Sequence, residues 1–275
     1  MSIIFENTDV WGFEGAVRGM RNALESWGLS DSGYFGSSVG HKNYILGEKD
    51  LNLCQRLIKA GDPSHRKFMR QIMVSVDITA PLYWWKECDT YKVGTVANSC
   101  STMHTIHKKE FTLEDFSIEH LIFDRNVPNE EYEEVDDLND RTGWDIVNEK
   151  YCGMDDSTFI DYNVFSGDLF ECYMQMMNRA RELYLKTKDK KYWYIMIEML
   201  PSSYNQKRTI TLNYENLRSI YFQRRNHKLD EWREGFCSWV KTLPYAKELI
   251  IFDPNNGIKI ETGDKMLAPG LMPAT

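Results

Sequence analysis

No stretch of this chain is apolar for long enough to cross a bilayer. Its N-terminus lacks the basic-then-apolar pattern of a secretory signal, so a cytoplasmic protein with no membrane partner is expected. Cysteine is sparse and scattered: Cys54, Cys88, Cys100, Cys152, Cys172 and Cys237 form no C-x-x-C pair. Such spacing fits reduced thiols rather than a disulfide framework. Positive charge is short as well. Lysine and arginine number 33 against 41 acids, a net charge of −8 at pH 7. That balance excludes a broad basic surface for nucleic acid and leaves room for a small local anion site. No internal repeat is evident.

What is present is ordinary for a globular chain: 275 residues, 42% hydrophobic and 27% charged, enough to build one large core or two small domains. The segment EGAVRGMRNALESWG sets Ala16, Val17, Met20, Ala23 and Leu24 on one side, which predicts a helix from about Phe13 to Trp27. The serine- and glycine-rich GLSDSGYFGSSVGHKN reads as a loop with little to bury. EKDLNLCQRLIKAG predicts a helix stopped at Gly61, and KFMRQIMVSVDIT predicts a strand over about 67–79 with Ile72, Val74 and Val76 on its apolar face. APLYWWKECDTY opens another helix, with Pro81 in its first turn.

Farther on, residues 126–145 are acidic and read as an exposed segment. SGDLFECYMQMMNRARELYLKTKD, KKYWYIMIEMLP and KLDEWREGFCSWVKTLP predict three more helices. The fold class that follows is α/β in the α+β sense, a mixed sheet flanked by helices, as one domain over 1–262 with a loose tail at 263–275. HTIH places His104 and His107 at the i, i+3 spacing of a metal pair, but no third ligand stands nearby, and no metal site is expected.

The stretch LPSSYNQKRTITLNYENLRSIYFQRRNH, residues 200–227, carries the most pointed signal. Thr209, Thr211 and Asn213 alternate with Ile210 and Leu212 as a strand, and Asn213 suits the N-cap of the helix that follows. Leu217, Ile220 and Tyr221 define that helix's apolar stripe, and Arg224 extends it. A guanidinium there must reach water, a carboxylate such as Glu231, or a ligand phosphate.

Four blocks, read in order, resemble the flavin-dependent thymidylate synthases, also called thymidylate synthase complementing proteins. They are DVWGFEGAVRGMR, LIKAGDPS, the strand over about 67–79 with the helix from Ala80, and the stretch from L-P to Arg224. The resemblance implies an α/β homotetramer whose sites form between subunits, where FAD and deoxyuridylate stack. It implies methylation of deoxyuridylate, with methylenetetrahydrofolate giving carbon and NADPH giving hydride through the flavin. On this likeness Arg224 is the catalytic arginine against the pyrimidine, Asn213 contacts the flavin, and Thr95 falls at the serine of an R-H-R-x7-S signature that contacts nucleotide phosphate.

The departures from that pattern are charge changes. Trp85, Lys86 and Glu87 stand where the signature has R-H-R. Asp62 stands at a turn histidine, and Glu215 and Ile197 at arginines. Lys86 restores one cation for the cofactor, as a point charge rather than a planar fork. Lys92 and Arg225 are further candidate cations, Lys92 for substrate phosphate. Ser64, in the SHR turn, is either a polar corner of a flavin site or part of a plain helix-to-strand turn. Trp84 and Trp85 read as core rather than as a platform for the isoalloxazine. Two functions therefore stand open. One is a divergent synthase with weakly held FAD and slow or absent turnover. The other is a catalytically silent oligomer that binds nucleotide or flavin.

Overall fold

Val74, Val76, Ile78 and Ala80 alternate along the chain and are each 0% exposed, which makes Met73–Pro81 (β4) the centre of the sheet. The computed structural model describes residues 3–35, 43–121 and 162–254. The acidic segment 126–145, Cys152 and the tail 263–275 lie outside them. The described chain groups into two compact units, Met1–Thr102 with Pro201–Thr275, and Met103–Leu200.

In the first unit, Ile4–Trp11 (β1) and Asn205–Asn213 (β6) flank β4, and Val96–Ser99 (β5) pairs with β6. All three pairings are antiparallel, in the order β1-β4-β6-β5. One face is apolar. On the other, Thr209 of β6 donates to Asp77 of β4 at 2.6 Å, and Lys207 lies 2.8 Å from Glu6. This sheet is thus of the one-sided antiparallel kind.

Helices cover the apolar face. Phe13–Arg21 (α1) contributes Phe13, Ala16 and Val17; Glu48–Lys59 (α2) contributes Cys54 and Ile58. Leu82–Cys88 (α3) sinks Trp84 and Trp85 into the core at 0% and 1% exposure. Both tryptophans are therefore core, and Trp85 is further fixed by donating Nε1–H to the Gln206 carbonyl at 2.9 Å. Each large apolar side chain so buried contributes roughly 1.5–3 kcal/mol.

Three local expectations need correction. Lys67–Gln71 is a 3-10 turn, not the first half of a strand, because its buried residues Phe68 and Met69 are adjacent rather than alternating. Helix α1 stops at Arg21, and single 3-10 turns follow at Asn22–Leu24 and Trp27–Leu29.

The serine-rich segment is more ordered than a bare loop. It contains the short antiparallel strands Gly33–Phe35 (β2) and Asn43–Ile45 (β3), and it feeds a buried ion pair. Asp50, 0% exposed, accepts from Arg21 Nε, Ser30 Oγ and Ser32 Oγ, each at 2.6 Å.

The second unit contains the short 3-10 turn Leu113–Asp115 and two long-range partners in helices Tyr162–Thr187 and Lys190–Glu198. Asn178 fixes the connecting segment by bonding both the amide and the carbonyl of Phe111, at 2.8 and 2.9 Å. His107 packs edge-on against Tyr184. No group of three or more histidine, cysteine or acidic side chains that could hold a metal occurs among the described residues.

Candidate functional site

Asn213 ends β6 and caps Tyr214–Arg224, the next helix. Its side-chain oxygen accepts from the Asn216 amide at 3.0 Å, while Asn216 reaches back to the Asn213 amide, a reciprocal capping box. This cap fixes where the helix starts, and so where Arg224 lies three turns later.

Arg224 is committed to partners from two other segments. Its Nη1 donates to Glu87 Oε2 at 2.9 Å and its Nε to the Tyr91 hydroxyl at 2.7 Å. The guanidinium carbon lies 4.8 Å from the Trp232 ring centre and 5.5 Å from that of Tyr91. The partner weighed from the sequence, Glu231, accepts instead from the Tyr83 hydroxyl.

The same Glu87 oxygen takes a second bond from Trp232 Nε1 at 2.8 Å and faces His227 Nε2 at 3.5 Å. His227 Nδ1 accepts the Leu229 amide at 3.2 Å, so a neutral ring carries its proton on Nε2, toward Glu87. Trp232 sits, fully buried, in a π-helical turn, Glu231–Phe236.

The other charge-altered positions behave alike. Glu215 is gripped by Arg66, with Nη2 2.9 Å from Oε1. Trp85 is covered by Arg208, whose guanidinium carbon is 4.3 Å from the ring centre and whose Nη1 donates to Asp89 at 2.8 Å. At three of the positions where an arginine was expected, Trp85, Glu87 and Glu215, an arginine from another element stands beside the replacement. Each is already matched by a carboxylate.

Thr95 is placed differently. Its Oγ is buried and has no hydrogen-bond partner among the described residues. Gly94 precedes it at φ +73, where a Cβ would lie 3.0 Å from Asn216 Oδ1 and 3.1 Å from Asn213 Nδ2, so glycine permits both the turn and the close approach. The structure therefore sets the Val93–Gly94 turn, just ahead of Thr95, against the Asn213 cap. Lys86, Lys92 and Ser64 are exposed. The Ser64 amide donates to Asp62 Oδ1 at 2.7 Å, which makes the SHR corner a side-chain-capped turn. Arg225 lies 3.6 Å from Asp253. Cys88, between Glu87 and Asp89, is no nucleophile: burial pushes its thiol up to about 12.

A flavin dinucleotide needs cations for its diphosphate. Glu87 and Glu215 bring carboxylates to two of the positions concerned, and Arg224, Arg66 and Arg208 are bound to acids. The residues present do not fit FAD in the manner the resemblance implies. A smaller anion could use the Thr95 hydroxyl and the exposed Lys86 and Lys92 without breaking an ion pair.

Two solved structures share this arrangement of elements. Flavin-dependent thymidylate synthase ThyX from Helicobacter pylori, complexed with FAD and dUMP, matches with a TM-score of 0.54 and 16% identity over 91% of this chain and 98% of that one. A second ThyX structure from the same organism, with FAD and dUMP at 2.31 Å resolution, gives 0.53 and 15% over 91% and 97%. The chain has a ThyX-like fold. No protein-family model and no curated protein matches it. At such low identity the likeness extends to the mixed α/β architecture and its antiparallel sheet. No described helix is long and apolar enough to cross a membrane.

Proposed function

We propose that this chain is a divergent relative of the flavin-dependent thymidylate synthases, a single domain over 1–262 that assembles as a homotetramer, binds nucleotide or flavin weakly and does not make thymidylate at a synthase's rate. One observation carries the reading: Glu87, at a signature arginine position, forms an ion pair with Arg224. The one guanidinium that matches the pyrimidine-contacting arginine is thereby neutralised from within. Losing two or three cations at a phosphate site removes charge-assisted bonds of about 1.5–3 kcal/mol each, so binding falls by orders of magnitude.

A second reading, a working synthase using FAD, NADPH and methylenetetrahydrofolate, is favoured by Thr95, whose buried hydroxyl has no partner among the described residues and follows the Gly94 turn that abuts the Asn213 cap. In that case Arg224, Thr95 and Lys92 serve deoxyuridylate, and Asn213, Ser64 and Lys86 serve the flavin. Tritium release from labelled deoxyuridylate, with all co-substrates supplied, separates the two. The first reading expects release at or near background, and release that depends on Arg224 would establish the second.

A further inference from the structure

We infer that Glu87 is the specificity-determining residue of the Arg224 site: its carboxylate holds the guanidinium against an external anion, and removing its charge admits one. The inference rests on the reading just proposed, of a nucleotide site weakened from within.

The parts of an anion site are all present around Arg224. They are a planar guanidinium, the Tyr91 hydroxyl 2.7 Å from Nε, and the half-buried Tyr91 ring beside the cation, with the fully buried Trp232 ring backing it. That combination suits a planar ring bearing a phosphate, with the ring on an aromatic face and the anion on the fork. Glu87 takes Nη1 of the fork and Tyr91 takes Nε. Glu87 Oε2 receives Arg224 Nη1, Trp232 Nε1 and, at 3.5 Å, His227 Nε2. Three groups converge on one oxygen of a carboxylate whose side chain is 35% exposed, and together they favour this position.

Arg224 Nη2 makes no hydrogen bond among the described residues, and the side chain keeps 18% of its exposure. An incoming phosphate can therefore touch the guanidinium, but only with its charge beside that of Glu87. Like charges at that range repel strongly where water is partly excluded. The closure is electrostatic rather than steric, and a neutral residue of the same size reverses it.

Glu87→Gln is the test, since glutamine keeps a carbonyl acceptor for Trp232 Nε1. Calorimetric titration of deoxyuridylate into the full chain should show the variant binding at least about tenfold tighter than wild type. Deoxyuridine, which lacks the phosphate, should show no gain, and Glu87→Gln with Arg224→Ala should lose it. Unchanged or weaker deoxyuridylate binding overturns the inference, as does an equal gain for deoxyuridine. Should Glu87→Gln not fold, Glu87→Met removes the same charge at similar size. The same gain is then expected, and no gain overturns the inference. Tight deoxyuridylate binding by wild type would instead defeat the proposed function, a result read without any variant.

Discussion

Arg66 and Glu215 meet as a fork on a carboxylate: Nη2 lies 2.9 Å from Oε1, and Nε lies 3.1 Å from both oxygens. Both side chains are 16% exposed, and the pair ties the turn after Lys59 to the first turn of Tyr214–Arg224. An acid in that first turn is also favoured by the helix dipole. A double-mutant cycle with Arg66→Ala and Glu215→Ala should give a coupling of about 1–2 kcal/mol by urea denaturation, between the values for exposed and buried pairs. Glu215→Arg alone should be the least stable variant, because it sets two guanidinium groups together. Reversing both charges should recover part of the loss.

Asp50 should govern stability in acid. Burial works against its charge, but bonds from Ser30, Ser32 and Arg21 outweigh that and hold its carboxyl below the usual carboxylate range. A depressed folded-state pKa adds stability that is complete above the unfolded value, near 3.9, and is lost as pH falls through the folded value. Unfolding followed against pH should thus show a loss below about pH 4 that Asp50→Asn lacks. At neutral pH, Asp50→Ala should cost about 3–5 kcal/mol, since it leaves Arg21 buried at 5% exposure without its partner.

Asn213→Ala should lower stability by about 1 kcal/mol through loss of the cap. Asn213→Asp keeps an acceptor for the Asn216 amide and should melt close to wild type. Thermal melts of the two variants check this. Equal losses in both would mean the side chain contributes something other than capping.

Assembly is expected to be tetrameric. Several large apolar side chains stay exposed on the single chain, Trp27 at 50% and Phe35 at 58% among them, and such residues suit the core of an interface. Light scattering at micromolar concentration should give four times the 32.3 kDa chain mass. A monomer would contradict the tetramer.

Local chemistry was readable wherever it rested on spacing along the chain. The alternation of β6, the cap at Asn213 and the apolar stripe through Leu217 and Ile220 each need only a few neighbouring residues. The alternation of β4 was readable too, but it gave no sign that Lys67–Gln71 is a 3-10 turn, where Phe68 and Met69 are buried side by side. Ser30 and Ser32 looked like solvent-facing loop residues because their partner, Asp50, lies 20 and 18 positions away. Glu87 stands 137 positions from Arg224, beyond any periodicity. The family resemblance pointed to position 87 as altered, and only the folded chain pairs the altered residue with the arginine it neutralises.

The central claim is that the fold has been kept while its anion-binding charge has been cancelled from within. Titration of the purified wild-type chain with FAD, followed by quenching of flavin fluorescence, tests this most directly. The account predicts a colourless protein as purified and FAD binding no tighter than roughly the micromolar-to-millimolar range, about −8 to −4 kcal/mol. A yellow protein that retains stoichiometric FAD through purification would contradict it.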